Sequence, residues 1–255
     1  MTESIILGLT GLFLGRLLNL TIDRLPPPRT SAEIPLRCEG HHSVALINLV
    51  PLISYLWRRR LCRSCRHRIP VRWPVVEAMT ALVCGLIGYQ YGLTLSAAVL
   101  IFYCALFIHL AFVDLEHSLI LNKVVLPALP AALALFPFSP LGQSWGLGEA
   151  YLRSLGGLGL GFGIMLLVYL AARGGTGAGD VKLAALLGAV LGFPQIAAGL
   201  PLGFIFGGLV GLTVLALRLK RRNDPIPFGP ALIIGAALVL LGGSGVYDWY
   251  LDLFR

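Results

Sequence analysis

The segment GGTGAGDVKLAALLGAVLG, residues 174–192, places Asp180 and Lys182 between a glycine-rich stretch and an apolar run. Three interpretations of this pattern are open: a phosphate-binding loop, a helix cap, or one half of a catalytic site. The phosphate loop is disfavoured because TGAGDVK lacks the Walker spacing, and because an acidic residue at a helix start would repel phosphate. The choice between the other two depends on where Asp180 lies in the fold.

The composition predicts a membrane protein. The 255 residues are 57% hydrophobic and 13% charged, with a mean hydropathy of +0.83, whereas soluble domains carry roughly a quarter charged residues. The first apolar run follows Glu3 without a preceding Lys or Arg, so we expect a retained first span and not a cleaved signal. The net charge of +8 is therefore interpreted through its position along the chain, with membrane lipid and no nucleic acid as the expected partner.

The apolar runs predict an all-α polytopic membrane protein with about eight transmembrane helices. One run, Val181–Phe193, is too short to cross a bilayer without support from its neighbours. The predicted spans are Ile5–Ile22, Val75–Tyr91, Leu93–Val113, Leu119–Phe136, Leu155–Ala172, Val181–Phe193, Ile196–Leu217 and Ala231–Tyr247.

The basic residues predict the orientation of these spans. Ten of the twenty Lys and Arg residues lie between Ile22 and Trp73, in the first loop, and the later odd-numbered loops are also basic. The even-numbered loops contain only Arg153. By the positive-inside rule, both termini are then outside and the odd loops are cytoplasmic. This topology brings Asp114, at the end of the third span, and Asp180, at the start of the sixth, to the same cytoplasmic membrane face.

The chain is predicted to have three parts. Residues 1–22 form the first transmembrane helix, residues 23–74 a small basic cytoplasmic loop domain, and residues 75–255 a seven-helix membrane domain. The loop contains CEGHH at residues 38–42 and CRSC at residues 62–65.

The Cys/His pattern of this loop indicates a zinc-ribbon-like site. Cys-x-x-Cys and Cys-x-x-His spacings each place two ligands on one tetrahedral metal, and a segment of this size has too small a core to fold easily without one. The alternative is a redox Cys-x-x-Cys with unrelated histidines, and His42 or His67 could replace His41. The predicted zinc ligands are Cys38, His41, Cys62 and Cys65.

Asp114 and Asp180 are the candidate catalytic residues. Taken alone, Asp180 could be a helix N-cap and Asp114 a solvated residue at a helix end. Their common position at one membrane face instead favours aspartic-protease chemistry, in which one carboxylate accepts a proton from water and the other, protonated, polarises the scissile carbonyl. No Ser with a partner His is found at this face.

Several ordered motifs then resemble those of the prepilin peptidases, the membrane aspartic proteases of type IV pili and type II secretion. VDLEHSLILN carries Asp114 at the position of the family's first catalytic aspartate, and GTGAGDVKLAALLGAVLG carries Asp180 in its Gly-x-Gly-Asp motif. The other segments that carry the resemblance are GRLLNLTIDRLP at residues 15–26, INLVPLISYLWRRRLCRSCRHRIPVRWPVVE at residues 47–77 and PIPFGPALIIGA at residues 225–236.

The resemblance implies a multi-pass protein of the bacterial inner membrane that cleaves the leader peptide of prepilins or pseudopilins at the cytoplasmic face. Many members also methylate the new N-terminus with S-adenosylmethionine, an activity associated with the large loop. The family's usual first Cys-x-x-Cys is CEGH here, so that His41 replaces a thiolate. The remaining alternatives are a peptidase-only enzyme, a non-enzymatic zinc-bearing scaffold for pilus assembly, and a transporter with a carboxylate relay. A transporter would need ionisable residues near the bilayer midplane, whereas the two aspartates are predicted at its edge.

The sequence also predicts which aspartate carries the proton at rest. Asp180 begins a helix, where free N–H groups and the helix dipole stabilise a carboxylate, whereas Asp114 ends one, near carbonyl oxygens. On these grounds we expect Asp180 to be the ionised base and Asp114 the protonated partner.

Overall fold

The computed structural model describes residues 2–26, 70–171, 177–218 and 227–252. Within these ranges the chain is helical and contains no strand, which confirms the predicted all-α class. A short 3-10 helix at Phe136–Phe138 follows α4. The α-helices are α1 (Thr2–Arg24), α2 (Arg72–Tyr91), α3 (Leu95–His117), α4 (Asn122–Leu135), α5 (Leu147–Ala171), α6 (Ala178–Leu191), α7 (Ile196–Ala216) and α8 (Gly229–Asp252).

Each predicted span coincides with one of these helices. Four of the described helices, α1, α3, α5 and α7, are long and apolar enough to cross a membrane. The eight-span count therefore remains a prediction for the other four. The predicted loop domain, residues 23–74, lies mostly outside the described residues.

The described chain divides into two compact units, Met1–His109 and Leu110–Arg255. In the first unit α1 and α2 pack closely through small residues. A methyl group added at Gly11 would lie 2.8 Å from Cα of Ala81, and one added at Gly15 would lie 2.7 Å from Cα of Glu77. Glycine at these positions is what allows the two backbones to approach so closely, as is common between membrane helices.

The α1–α2 pair also contains buried charge. Nη1 of Arg16 lies 3.8 Å from Oε1 of Glu77, and its guanidinium covers the ring of Trp73 at 4.3 Å. A second ion pair joins Arg72 to Asp23. Because unpaired buried charges are costly, this pairing explains how the closely packed helices α1 and α2 tolerate them.

The second unit is built around α6. Apart from Lys182, the residues from Val181 to Leu191 are buried. At one side Gly157 of α5 faces Gly188 of α6, and an added methyl group on either would clash with the backbone of the other. The hydroxyl of Ser154 donates to the carbonyl of Ala189 over 2.7 Å and joins the same two helices. The short helix α6 is therefore enclosed by its neighbours, which agrees with the prediction that it needs their support.

Candidate active site

Asp114 lies in the last turn of α3. The backbone N–H of Ser118 donates to the carbonyl of Asp114 over 2.7 Å, and Ser118 has a φ of 50°. This left-handed residue ends the helix one turn after Asp114. The side chain of Asp114 is only 5% exposed, so the alternative of a solvated carboxylate at a helix end is wrong.

Asp180 lies in the first turn of α6, which follows the glycine-rich segment. The N-cap is Gly177, in extended conformation, and Asp180 is the third helical residue after it. The interpretation of Asp180 as the N-cap is therefore wrong, because the N-cap lies three residues earlier. Like Asp114, Asp180 is buried, with 9% of its surface exposed.

The segments that carry the two aspartates contact each other. A methyl group on Gly179 would lie 3.0 Å from Cβ of Ile120, so glycine lets the start of α6 approach the chain that follows α3. Nζ of Lys182 donates to Oδ1 of Asn122 over 2.9 Å and connects α6 to the first residue of α4. These contacts hold the segment that follows Asp114 against the first turn of α6.

The two carboxyl groups interact electrostatically. Asp180 precedes the apolar run of α6 and lies outside the four helices of membrane-spanning length. The pKa of Asp180 is raised to about 6, first by burial and then by the neighbouring Asp114 carboxyl, and a hydrogen bond from the Gly177 backbone opposes the shift. Two like-charged carboxyl groups in one buried site do not easily ionise together, so the pair keeps one proton to a higher pH than an isolated aspartate would.

The amino end of α8 completes the surroundings of Asp114. The backbone N–H of Gly229 donates to Oδ2 of Asp114 over 3.0 Å. A methyl group on Gly229 would lie 2.6 Å from that oxygen and 3.3 Å from Cδ2 of Leu183 on α6. The start of α8 is therefore wedged against both α3 and α6, and only glycine fits there.

The predicted zinc ligands cannot be placed in this site or elsewhere. Cys38, His41, Cys62 and Cys65 all lie outside the described residues. Among the residues that are described, no group of three or more His, Cys, Asp or Glu side chains could hold a metal. The two described cysteines, Cys84 and Cys104, are buried and unbridged.

Comparison with known proteins assigns the family. The family model described as "Type IV leader peptidase family" matches residues 101–215, which include both aspartates. A second model, described as "Bacterial Peptidase A24 N-terminal domain", matches residues 9–91. A relative from Bacillus subtilis (strain 168) is 32% identical over 257 residues, covering 97% of this chain and 98% of that protein. The chain belongs to the type IV leader peptidase family. The family resemblance seen in the sequence motifs is thereby confirmed.

Other relatives of this family carry the same name. The proteins from Aeromonas hydrophila and Pseudomonas aeruginosa are 32% and 31% identical, each covering 96% of this chain, and 93% and 92% of their own lengths. These two relatives and the Bacillus protein are named "Prepilin leader peptidase/N-methyltransferase". No solved structure matches the chain.

One residue of the site is not identified by sequence reasoning. The segment at residues 225–236 is part of the family resemblance, but the pattern does not show that Gly229 contacts Asp114. The signal available in the sequence is Phe-Gly-Pro before an apolar run, which predicts a helix start with few free N–H groups.

Proposed function

We propose that this protein is an aspartic endopeptidase of the bacterial inner membrane that removes the leader peptide of type IV prepilins or pseudopilins and methylates the new N-terminus. The proposed peptidase activity rests on the buried pair Asp114 and Asp180 in the second unit. The names of the relatives, which cover nearly the whole chain, support both activities.

In the proposed cleavage reaction the pair holds one proton. The ionised carboxylate removes a proton from water as the water oxygen bonds to the scissile carbonyl carbon, and the protonated carboxyl group gives its proton to the carbonyl oxygen. Collapse of the tetrahedral intermediate then breaks the C–N bond, and the leaving amine takes the proton that the base had acquired. One hydroxyl group of the intermediate returns its proton to the other carboxylate, which yields the carboxylic acid product and restores the singly protonated pair. Burial suits this chemistry because it raises the pH up to which the pair keeps its one proton.

Methylation would follow at the amine that cleavage exposes. S-adenosylmethionine supplies the methyl group when bound, and the amine must be neutral to accept it. Because the leader must be removed first, we expect methylated product to appear only after cleaved product.

We further propose that all eight predicted spans are membrane-embedded and that the two aspartates lie at the cytoplasmic edge of the membrane. Four helices of spanning length support an inner-membrane protein, and the basic first loop supports the orientation. The same loop is proposed to hold one structural zinc through Cys38, His41, Cys62 and Cys65. This last part rests on the ligand spacing in the sequence.

The direct test incubates the purified full-length chain with a prepilin, with and without S-adenosylmethionine, and analyses the product by mass spectrometry. We expect loss of the leader mass in both samples and an added methyl mass in one. Cleavage without any methyl gain would favour the peptidase-only alternative, and neither change would favour a non-enzymatic scaffold.

A further inference from the structure

The amino end of α8 is built to present one backbone amide to Asp114. Pro230 has no N–H, and the N–H of Ala231 donates to the carbonyl of Phe228 over 3.1 Å. The N–H of Gly229 is thus the amide of this turn that is directed to Asp114, over 3.0 Å. Backbone donors at a helix start combine with the positive end of the helix dipole and stabilise an anion.

Packing fixes this helix start in place. The ring of Phe228 lies 5.6 Å from the ring of Phe204 on α7, and a methyl group added at Gly207 would clash with it. Phe228 is therefore held against α7 one residue before the amide that donates to Asp114. An amide held in this way needs little reorganisation when charge develops on the carboxylate.

Asp180 also accepts a backbone hydrogen bond, from Gly177, but this donor belongs to the start of its own helix and not to a neighbouring one. Burial and the neighbouring Asp114 still raise the pKa of Asp180 to about 6. Among the other titratable side chains on the described helices around the pair, Glu116 and Lys123 are exposed, and Lys182 donates to Asn122. His117 lies on α3 beyond Asp114, and the first turns of α8 carry no charged side chain.

We propose that Gly229 is a positioning residue for the peptidase reaction: its N–H holds Asp114 as the ionised base, so that Asp180 carries the shared proton. The inference rests on the proposed function of the two aspartates. It reverses the assignment drawn from the sequence, because that argument considered only the helices to which the aspartates belong. In the reaction, Asp114 takes the proton of water and Asp180 gives its proton to the scissile carbonyl oxygen.

The test compares single carboxyl groups by infrared pH titration of the purified full-length chain. Asp180→Asn leaves Asp114, and Asp114→Asn leaves Asp180. Subtracting the spectrum of the doubly substituted chain removes every other carboxyl group. We expect Asp114 to titrate at a lower pH than Asp180. An equal or higher midpoint for Asp114 would overturn the inference. Because this comparison leaves Gly229 unchanged, it remains a valid test even if a Gly229 variant fails to fold.

A second measurement isolates Gly229. In the Asp180→Asn background, Gly229→Ala should raise the midpoint of Asp114 by about one pH unit, since a hydrogen bond to a charged group is lost. In the Asp114→Asn background, Gly229→Ala should leave the midpoint of Asp180 unchanged. Gly208→Ala on α7 is the control, because a methyl group there meets nothing within 4 Å. Equal shifts of both aspartates would contradict the assignment.

Kinetics connect the titrations to the reaction. With both aspartates present, Gly229→Ala should move the acid limb of the kcat profile to higher pH, because the base is protonated more easily, whereas Gly208→Ala should not. An unmoved acid limb in a folded Gly229→Ala enzyme would count against the inference. The titrations need no substrate, so they test this inference separately from the proposed function. Cleavage by the Asn variants would refute the proposed function alone. A reversed order of midpoints would refute this inference alone.

Discussion

The backbone N–H of Gly229 donates a hydrogen bond to Oδ2 of Asp114 over 3.0 Å, although 115 residues separate the two in the chain. The contact joins the start of the last helix to the end of the third. It gives Asp114 a donor that its own helix end does not offer, since the last turn of a helix exposes carbonyl oxygens. The surroundings of the aspartate pair therefore include the start of α8.

The first prediction concerns the aspartates themselves. Asp114→Asn and Asp180→Asn should each lower the rate of leader cleavage by roughly 10²- to 10⁴-fold, because each removes one of the two proton-transfer groups. The measurement is the initial rate of prepilin cleavage by purified, membrane-inserted enzyme. Glu116→Gln is the matched control, because Glu116 is an exposed carboxylate two residues from Asp114. It should be close to wild type, and substantial cleavage by either Asn variant would exclude the aspartic mechanism.

Much of the helix pattern could be predicted from hydropathy, and the errors have physical causes. The span predicted at Leu155–Ala172 is part of α5, Leu147–Ala171, which begins eight residues earlier. These eight residues make about two turns, in which Arg153 pairs with Glu149 at 2.9 Å and also stacks on Trp145, just before the helix. Such polar contacts stabilise a helix end but are not detected by hydropathy.

The site could be predicted only in part. The positive-inside rule predicts that the loops next to Asp114 and Asp180 lie at one membrane face, and this predicted topology brings the two aspartates together. The contact of Gly229 with Asp114 could not be predicted, because a backbone N–H is present at every residue except proline and leaves no mark in the sequence. The zinc prediction at Cys38, His41, Cys62 and Cys65 falls outside the described residues and stays a prediction.

The second prediction tests this zinc site. The purified chain should contain about one zinc, which a Cys3His set would hold in tetrahedral geometry. Cys62→Ser or Cys65→Ser should lose the metal, and His41→Cys should retain it because thiolate can replace imidazole. Elemental analysis by mass spectrometry measures the content. We expect peptidase activity to survive zinc loss better than methylation does, since the aspartates lie on other segments, and metal-free wild-type protein would refute the site.

The third prediction concerns pH and stability. The pKa of Asp180, about 6 in the folded protein, is above its ordinary value of 3.8. The folded state therefore favours the protonated group, and this contribution to stability is full below about pH 4 and is lost as pH rises through about 6.

Asp180→Asn should accordingly be more stable than wild type at pH 8, by on the order of 2 kcal/mol, because it cannot become charged. The difference should shrink as pH falls below about 6. Thermal unfolding in detergent across this range measures it, with Glu116→Gln as the control. If the variant were less stable than wild type at pH 8, burial of the ionised Asp180 carboxylate would not be the main effect of this residue on the free energy of unfolding.

The last prediction concerns the packing that holds α6. Gly157→Ala should destabilise the second unit by about 1–3 kcal/mol, since the added methyl group would meet the backbone of Gly188 and Gly192. Gly159→Ala on the same helix is the matched control, because nothing lies within 4 Å of a methyl group there, and better helix propensity should make it neutral or slightly stabilising. The melting temperature in detergent gives the stability. The cleavage rate should fall in Gly157→Ala alone, because displacement of α6 moves Asp180 relative to Asp114. Equal melting temperatures for the two variants would mean that α5 and α6 are not held together by this close contact.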